Sequence, residues 1–229
     1  MCGRFAISIP KDAMAELFKA APANNLPHTP NYNICPTKDI HTITSDEGIR
    51  NLKSMRWGFV PSWYVNLSGG PLLINARSET IAEKPAFRNA CRNRRCIIPA
   101  DGFYEWARSQ GEKPKPYRAL RADRQPMAMA GVWQNYEFNG SVITTCAIVT
   151  TEANKTMSAI HHRLPVIIDP EDWPLWLGED GKGAAKLMKP IAEHVLDLQR
   201  VSYAVNSNRS SGPELWDHIL NSSLPILSF

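Results

Sequence analysis

The chain has 229 residues, of which 43% are hydrophobic and 21% charged, a balance that fits a folded domain and excludes a disordered or fibrous protein. Its formal net charge of +4 at pH 7 permits an anionic partner without requiring one, so a nucleic-acid site has to be a local feature. No apolar run approaches the roughly 18 residues of a membrane span, and no secretory signal pattern is present.

Organisation and location follow from the same features. Prolines are scattered and no repeat or linker interrupts the chain, which predicts a single domain over residues 1–229. The five cysteines, at positions 2, 35, 91, 96 and 146, do not form the pattern of a disulfide framework. Reduced cysteines agree with a cytoplasmic, intracellular location. A monomer is the default expectation.

The start of the chain places Cys2 directly after Met1. Once Met1 is removed, Cys2 carries a thiol and an α-amine on adjacent carbons. This pair reacts with an aldehyde first as an imine and then as a closed thiazolidine ring. An internal cysteine lacks the amine and cannot close that ring. The alternative interpretation is a small residue that opens an edge strand.

Periodicity and turn residues predict the secondary structure in chain order. Helices are predicted over 10–20, over 78–93 with a break near Pro85, over 170–177, over 184–196 with a kink at Pro190, and after Pro213. Segment 22–36 is predicted as an ordered loop. Strands are predicted at 40–44, 52–57, 72–75, 95–99, 117–120, 127–133, 142–150 and 165–168. Their close spacing favours antiparallel pairing, so the predicted fold is α+β, with a curled, mainly antiparallel, barrel-like sheet and peripheral helices.

Two polar patches stand at the ends of predicted strands. In the first, an apolar run ends in Asn75 and Arg77, at a place where functional sites are often mounted. In the second, Glu105 lies between Tyr104 and Trp106, and an aromatic surround that partly desolvates a carboxyl group suits it to proton transfer. Purely structural interpretations stay open for all three residues: Asn75 as a turn residue, Arg77 as part of a solvated helix start and Glu105 as an outward-facing strand residue.

A further patch contains two adjacent histidines, His161 and His162, before a predicted strand. Neighbouring side chains diverge in direction, so one functional histidine beside one exposed histidine is expected rather than a metal-binding pair.

In their order and spacing these patches resemble the SOS response-associated peptidase family, SRAP, also called abasic-site processing proteins. The matching stretches are MCGRF at 1–5, YNICPT at 32–37, MRWGFVPSW at 55–63, INARSET at 74–80, PADGFYEW at 99–106, IVTTEAN at 148–154 and IHHRLP at 160–165. The resemblance covers most of the chain, to about residue 170.

The resemblance implies an SRAP-like fold and a protein that forms a thiazolidine cross-link with abasic sites in single-stranded DNA. The cross-link forms through Cys2 after removal of Met1 and protects the lesion from strand cleavage. The implied catalytic residues are Cys2, Asn75, Glu105 and His161. Asn75 would hold the amine or the sugar hydroxyl, Glu105 would move protons, and His161 would assist opening of the sugar ring. The expected activity is of cross-linking or lyase type, with an autopeptidase activity that removes Met1.

The resemblance also implies residues that contact DNA. They are Arg4, Asn33, Trp63, Arg77, Trp106, Thr150 and Arg163. The arginines would bind phosphates, the tryptophans would stack on bases, and the remaining two would touch the backbone. For Trp63, stacking and core packing are both open. No cofactor, metal or membrane partner is expected.

Two other functions are compatible with the residues. One is a cysteine-dependent peptidase that acts on the Met1–Cys2 bond or on other peptides. The other is a non-catalytic module that binds any single strand through the same basic and aromatic groove, with strong salt dependence. A zinc site built from Cys91, Cys96, His161 and His162 is the remotest alternative.

Overall fold

The structure is a computed structural model that describes residues 2–23 and 25–219. The strands are β1 Phe5–Ile7, β2 Ala21–Pro22, β3 Asn31–Ile34, β4 Asp39–Asp46, β5 Ile49–Trp57, β6 Asn75–Arg77, β7 Arg95–Ala100, β8 Gly102–Ala107, β9 Lys115–Arg121, β10 Met127–Phe138, β11 Ser141–Glu152, β12 Arg163–Pro165 and β13 Leu196–Arg200. The α-helices are α1 Lys11–Phe18, α2 Arg88–Asn93, α3 Lys155–Ser158 and α4 Trp173–Leu177. Single turns of 3₁₀ helix cover Pro170–Asp172, Ala184–Leu187, Glu193–Val195, Tyr203–Asn206 and Pro213–Trp216.

A closed barrel forms from β11, β10, β7, β4 and β5. Neighbours along this path are antiparallel, and a parallel pairing of β5 with β11, at Thr145↔Arg56 and Cys146↔Trp57, closes the ring. Apolar side chains such as Ile43 fill the interior without solvent exposure. The prediction of a mainly antiparallel, barrel-like α+β fold is therefore confirmed.

A second, antiparallel sheet has the strand order β13-β9-β8-β1-β3. The pairing Phe5↔Phe103 aligns the N-terminal strand with β8. Gly102 opens β8 at a close approach, because a Cβ atom there would lie 2.3 Å from the carbonyl oxygen of Ala119. Aromatic residues of this sheet, including Tyr104, pack with Val205 in a small separate core.

Several predicted boundaries are corrected by the structure. Residues 78–87 form turns, and helix starts only at Arg88, because Pro85 cannot donate a backbone hydrogen bond. Segment 184–196 is not a helix: two 3₁₀ turns flank Pro190, and Leu196 begins β13, which pairs with β9. The segment 22–36, predicted as a loop, contains β3.

The remaining differences concern short strands that local sequence patterns do not predict. The sequence did not predict β1, β8 or β13 as strands. The predicted strand 72–75 is reduced to one bridge, Phe59↔Leu73, followed by β6. The predicted strand 165–168 starts two residues earlier, as β12, and continues only as a bridge between Met129 and Ile167. Among the residues that the structure describes, no helix is long and apolar enough to cross a membrane.

Candidate active site

The end of β11 brings two distant sequence patches together. Thr150 pairs with Arg77 of β6 on one side and with Pro165 of β12 on the other. Asn75 and His161 are 86 positions apart in the sequence. The residues around them nevertheless meet at neighbouring strands of one sheet. This arrangement explains why both patches end in polar side chains.

The backbone of Cys2 is held at this end of the sheet. Cys2 is fully buried, and the carboxamide nitrogen of Asn75 donates to its carbonyl oxygen at 2.9 Å. The backbone nitrogen of Tyr104 donates to the carbonyl of Arg4 at 2.9 Å, so the antiparallel pairing continues beyond β1 towards Glu105. Burial, followed by the nearby charge of Glu105, raises the pKa of the Cys2 thiol. At neutral pH the sulfur is therefore protonated.

Glu105 and His161 form the polar side of the site. Glu105 is only 5% exposed, and its Oε1 lies 3.9 Å from Nδ1 of His161. Nδ1 lies 3.0 Å from the backbone nitrogen and 3.3 Å from the carbonyl oxygen of Arg163, so these backbone contacts fix the orientation of the ring. Burial lowers the pKa of His161, and the charge of Glu105 opposes this effect. The ring stacks on the exposed His162, with centroids 4.3 Å apart.

A cavity of about 410 Å³ opens beside this pair. It is lined by Glu105, Trp106, Arg108, Lys113, Pro114, His161 and Asn206. The cavity thus combines a buried carboxylate, an imidazole and an indole with a basic rim. Such a volume suits a small polar ligand that enters from the surface.

Arg4 is engaged inside the molecule rather than left on its surface. Its guanidinium donates to the side-chain oxygen of Asn33 at 2.7 Å, to the carbonyl of Val205 at 2.8 Å and to the side-chain oxygen of Asn208 at 2.9 Å. The last two partners belong to residues 202–210, which we name the strap. Arg4 therefore ties the N-terminal strand to the strap.

Two other predicted DNA-contacting residues hold the same strap. The amide nitrogen of Asn33, a buried residue, donates to the carbonyls of Ser207 at 3.0 Å and Ser210 at 2.6 Å. The indole nitrogen of Trp106 donates to the side-chain oxygen of Asn206 at 2.6 Å. Asn33 and Trp106 therefore hold the strap against the sheet, and Trp106 also lines the cavity.

Arg163 and Thr150 lie at the other edge of the site. Arg163 is 8% exposed and makes a two-pronged ion pair with Glu79, at 2.7 and 2.9 Å, and a bond to the carbonyl of Thr150 at 2.8 Å. This pairing lowers the pKa of Glu79. The Thr150 side chain is fully buried, whereas Arg77 on the neighbouring strand is exposed. Of these three, Arg77 is the one presented to solvent.

Trp63 lies in a different cleft, of about 460 Å³. Its side chain is 58% exposed, so core packing does not account for it. The cleft is lined by Ser62, Trp63, Pro85, Ala86, Arg88, Asn89, Arg94, Trp133, Gln134 and Asn135. None of the four predicted catalytic residues lines this cleft.

The structure adds site residues that the sequence did not single out, and it does not support the zinc alternative. Arg108, Lys113 and Asn206 line the cavity. The only sequence features that could have indicated them are the basic residues of the loop between two strands, for Arg108 and Lys113, and the asparagines near position 206. Across the described part of the chain, no three His, Cys, Asp or Glu side chains are grouped to hold a metal. Cys96 is fully buried in the core.

Comparison with known proteins agrees with this fold. The family model "SOS response associated peptidase (SRAP)" matches residues 1–208. The four predicted catalytic residues and every residue that lines the cavity lie within this range. The chain belongs to the SRAP family.

Named relatives resemble the chain over almost its whole length. "Abasic site processing protein YoqW" of Bacillus subtilis is 36% identical over 222 residues, which cover 94% of this chain and 98% of the relative. "Abasic site processing protein YedK" of Escherichia coli is 30% identical over 223 residues, with the same coverages of 94% and 98%.

Solved structures share the fold. A crystal structure of a Bacteroides thetaiotaomicron protein has a TM-score of 0.84 at 24% identity and covers 96% of this chain and 100% of its own. One from Bordetella bronchiseptica has a TM-score of 0.75 at 27% identity, covering 88% of this chain and 100% of its own.

Proposed function

We propose that this protein processes abasic sites in single-stranded DNA by forming a covalent cross-link through Cys2. The observation that carries the proposal is the hydrogen bond from Asn75 to the carbonyl of Cys2. It fixes the backbone of the residue that would bear both nucleophiles, beside Glu105 and His161. Relatives named abasic site processing proteins support the same lesion as substrate.

The chemistry requires an aldehyde, which the ring-opened form of an abasic deoxyribose supplies. The α-amine of Cys2 adds to the aldehyde carbon and water leaves, which gives an imine. The thiol sulfur then adds to the imine carbon, its proton passes to the nitrogen, and a thiazolidine closes. The net change is the loss of one water. Because the two nucleophiles share one residue, the second step is intramolecular.

The side chains around Cys2 have separate tasks in this sequence. Neutral His161 accepts a proton from the sugar hydroxyl as the ring opens, in line with its lowered pKa. Glu105 is buried at the same place and moves protons during imine formation and ring closure. Asn75 positions Cys2. The thiol, protonated at neutral pH, delivers the hydrogen that the nitrogen takes up.

Single-stranded DNA is the proposed form of the substrate because the reactive groups are buried. Glu105 lines the cavity and is only 5% exposed, so a sugar must leave the helical stack to reach it. A single strand makes that displacement least costly. Exposed Trp63 and Arg77 would then meet a base and a phosphate of the same strand.

Removal of Met1 is a required step of the proposal, and Met1 lies outside the described residues. We propose that the site itself cleaves the Met1–Cys2 bond. The Cys2 sulfur takes the methionyl group from the Cys2 nitrogen as a thioester, and water then hydrolyses the thioester, which releases methionine and restores the thiol beside a free α-amine. An external aminopeptidase would produce the same mature terminus. Intact mass of protein made in a host that lacks methionine aminopeptidase activity would separate the two routes.

The decisive experiment is intact mass spectrometry before and after incubation with a single-stranded oligonucleotide that carries one abasic site. We expect a protein that lacks Met1 and gains the oligonucleotide mass less one water. The adduct should survive boiling in detergent. Cys2→Ala should abolish this stable adduct. When an aminopeptidase has removed Met1 from this variant, the remaining α-amine of Ala should still form an imine that borohydride traps.

Cys91→Ala is the matched control, since it removes a half-buried thiol on α2 and should cross-link normally. Loss of Met1 without any stable adduct would contradict the proposal. Retained, salt-sensitive binding in that case would favour a non-catalytic binding module.

A further inference from the structure

The mouth of the cavity carries polar groups that the proposed chemistry does not use. Glu105 and His161 form its reactive side, whereas Arg108, Lys113 and Asn206 line the rest. All three of these rim residues are exposed. They come from two separate parts of the chain, the loop that joins β8 to β9 and the strap.

The rim is fixed by contacts between those two parts. The ammonium of Lys113 lies 4.7 Å from the centre of the Tyr203 ring in the strap. The oxygen of Asn206 is bonded to the indole of Trp106, so the orientation of its carboxamide is set. Within the described residues, the nitrogen of that carboxamide has no bonded acceptor. The amide nitrogen of Asn206, which has two hydrogens to donate, thus lies at the cavity beside the cationic side chains of Arg108 and Lys113.

The charge of this rim is not neutralised locally. Glu112 lies in the same loop, but its carboxylate pairs with Lys115 at 2.6 Å. The other carboxylate of the cavity, Glu105, is buried on its reactive side. Lys113 and Arg108 therefore present positive charge to whatever enters the mouth.

We propose that Arg108, Lys113 and Asn206 form a subsite for one phosphodiester group that flanks the reacting deoxyribose. The inference rests on the proposed function, since it names where the neighbouring phosphate of the same strand binds. A deoxyribose placed at Glu105 and His161 has its two phosphodiesters on either side of it, away from these two side chains. Two cations and an amide donor at the mouth match the oxygens of one such group.

This subsite gives the strap a function. Arg4 and Asn33 hold the strap from behind, and Trp106 orients Asn206 from the side. These three residues are then positioning residues, which act on the phosphate through Asn206. The subsite also fixes which of the two flanking phosphates is recognised, and so sets the direction of the strand.

The test measures binding of a single strand that carries a stable tetrahydrofuran analogue of the abasic site. Three probes are compared: all phosphates intact, a neutral methylphosphonate immediately 5′ of the analogue, and one immediately 3′. Arg108→Ala with Lys113→Ala should weaken binding of the intact probe about tenfold or more. Loss of two phosphate contacts should also lower the salt slope by about 1.4.

One methylphosphonate, on one side only, should reduce binding of the wild type and leave the double variant unchanged. Asn206→Asp keeps the oxygen that Trp106 binds but replaces the amide donor with an anion. It should therefore bind the intact probe more weakly than Asn206→Ala does. Lys11→Ala with Lys186→Ala removes the same charge from exposed positions away from the cavity and serves as the control.

The proposal is overturned if the double variant matches this control, or if its loss is equal with all three probes, which would indicate long-range attraction only. Because the analogue has no aldehyde, binding is measured without cross-linking. Failure of the wild type to form an adduct with a true abasic site would contradict the proposed function, while the binding data would still decide on the subsite.

Discussion

The site around Cys2 and Glu105, which we call the reactive end, and the segment 62–72 differ sharply in solvent exposure. Cys2 and Glu105 are 0% and 5% exposed; Asn75 bonds to the carbonyl of Cys2, and His161 lies 3.9 Å from Glu105. In the other region Trp63, Val65 and Leu72 are 58%, 81% and 50% exposed. Apolar side chains of that size are seldom left together in solvent without a partner.

The difference indicates a division of labour. A buried site keeps polar groups in fixed positions and in defined protonation states, which chemistry requires. In the proposed function, an exposed aromatic segment beside Arg88 and Arg94 would offer surface to a flexible strand, which binding requires. The comparison therefore predicts that substitutions in the first region change rates and those in the second change affinity.

The largest effect is expected for Glu105→Gln, which keeps the shape of a buried side chain and removes its basicity. The rate of stable adduct formation at saturating DNA should fall by about 10²–10⁴. Affinity for the tetrahydrofuran-containing strand should stay near the wild-type value. A wild-type rate in this variant would contradict the role of Glu105 in proton transfer.

The next effect concerns His161 and depends on pH. Burial lowers the pKa of His161 from its reference value of about 6.5, so the ring stays neutral at pH 7 and gains a proton only at lower pH. The rate ratio of wild type to His161→Ala should be about 10² near pH 7.5. It should hold to about pH 6.5 and decline towards 1 as pH falls through the lowered pKa.

Using the ratio cancels the protonation of the α-amine, which both proteins share. A ratio that declines already well above the reference value would contradict a neutral, buried His161. His162→Ala is the matched control, because its exposed ring should leave the profile unchanged.

A smaller effect, on affinity, is expected for Trp63→Ala. Loss of one stacked base should cost about 1–3 kcal/mol, which raises the dissociation constant for single-stranded DNA roughly 5- to 150-fold. The rate at saturating DNA and the melting temperature should not change, because Trp63 is exposed. Ile49→Ala, at an exposed residue of β5, is the control. A lowered rate with unchanged affinity would remove the distinction between the two regions.

The smallest effect is expected for Glu79→Gln at the edge of the reactive end. The carboxylate is 47% exposed, so its pair with Arg163 should contribute less than about 1 kcal/mol to stability. Arg163 lowers the pKa of Glu79 in the folded state, so this contribution is present above the reference value near 4.3 and is lost as pH falls through the lowered pKa. Urea unfolding should separate the two proteins at pH 7 and not at about pH 2. Equal stability at pH 7 would assign no energetic role to the pair.

Local sequence patterns predicted much of the barrel. The strands of 39–57, 95–100 and 127–152 contain several β-branched and aromatic residues each and are long enough for that enrichment to be informative. Two helix predictions failed around Pro85 and Pro190, because proline lacks the backbone hydrogen-bond donor that a helix requires. In the second segment, the residues from Leu196 onward pair with β9 instead of continuing a helix. β1 and β6, with three residues each, were too short for any periodic signal.

The sequence by itself determined the chemistry that is available: a cysteine after Met1, a carboxamide, a carboxylate and a histidine, in stretches typical of SRAP proteins. The tertiary structure decided how these groups are used. It buried Glu105, placed Trp63 in a separate cleft, and engaged Arg4 with the strap through a bond that spans 204 positions. Burial and such distant hydrogen bonds depend on the path of the whole chain, and no local pattern of residues encodes them.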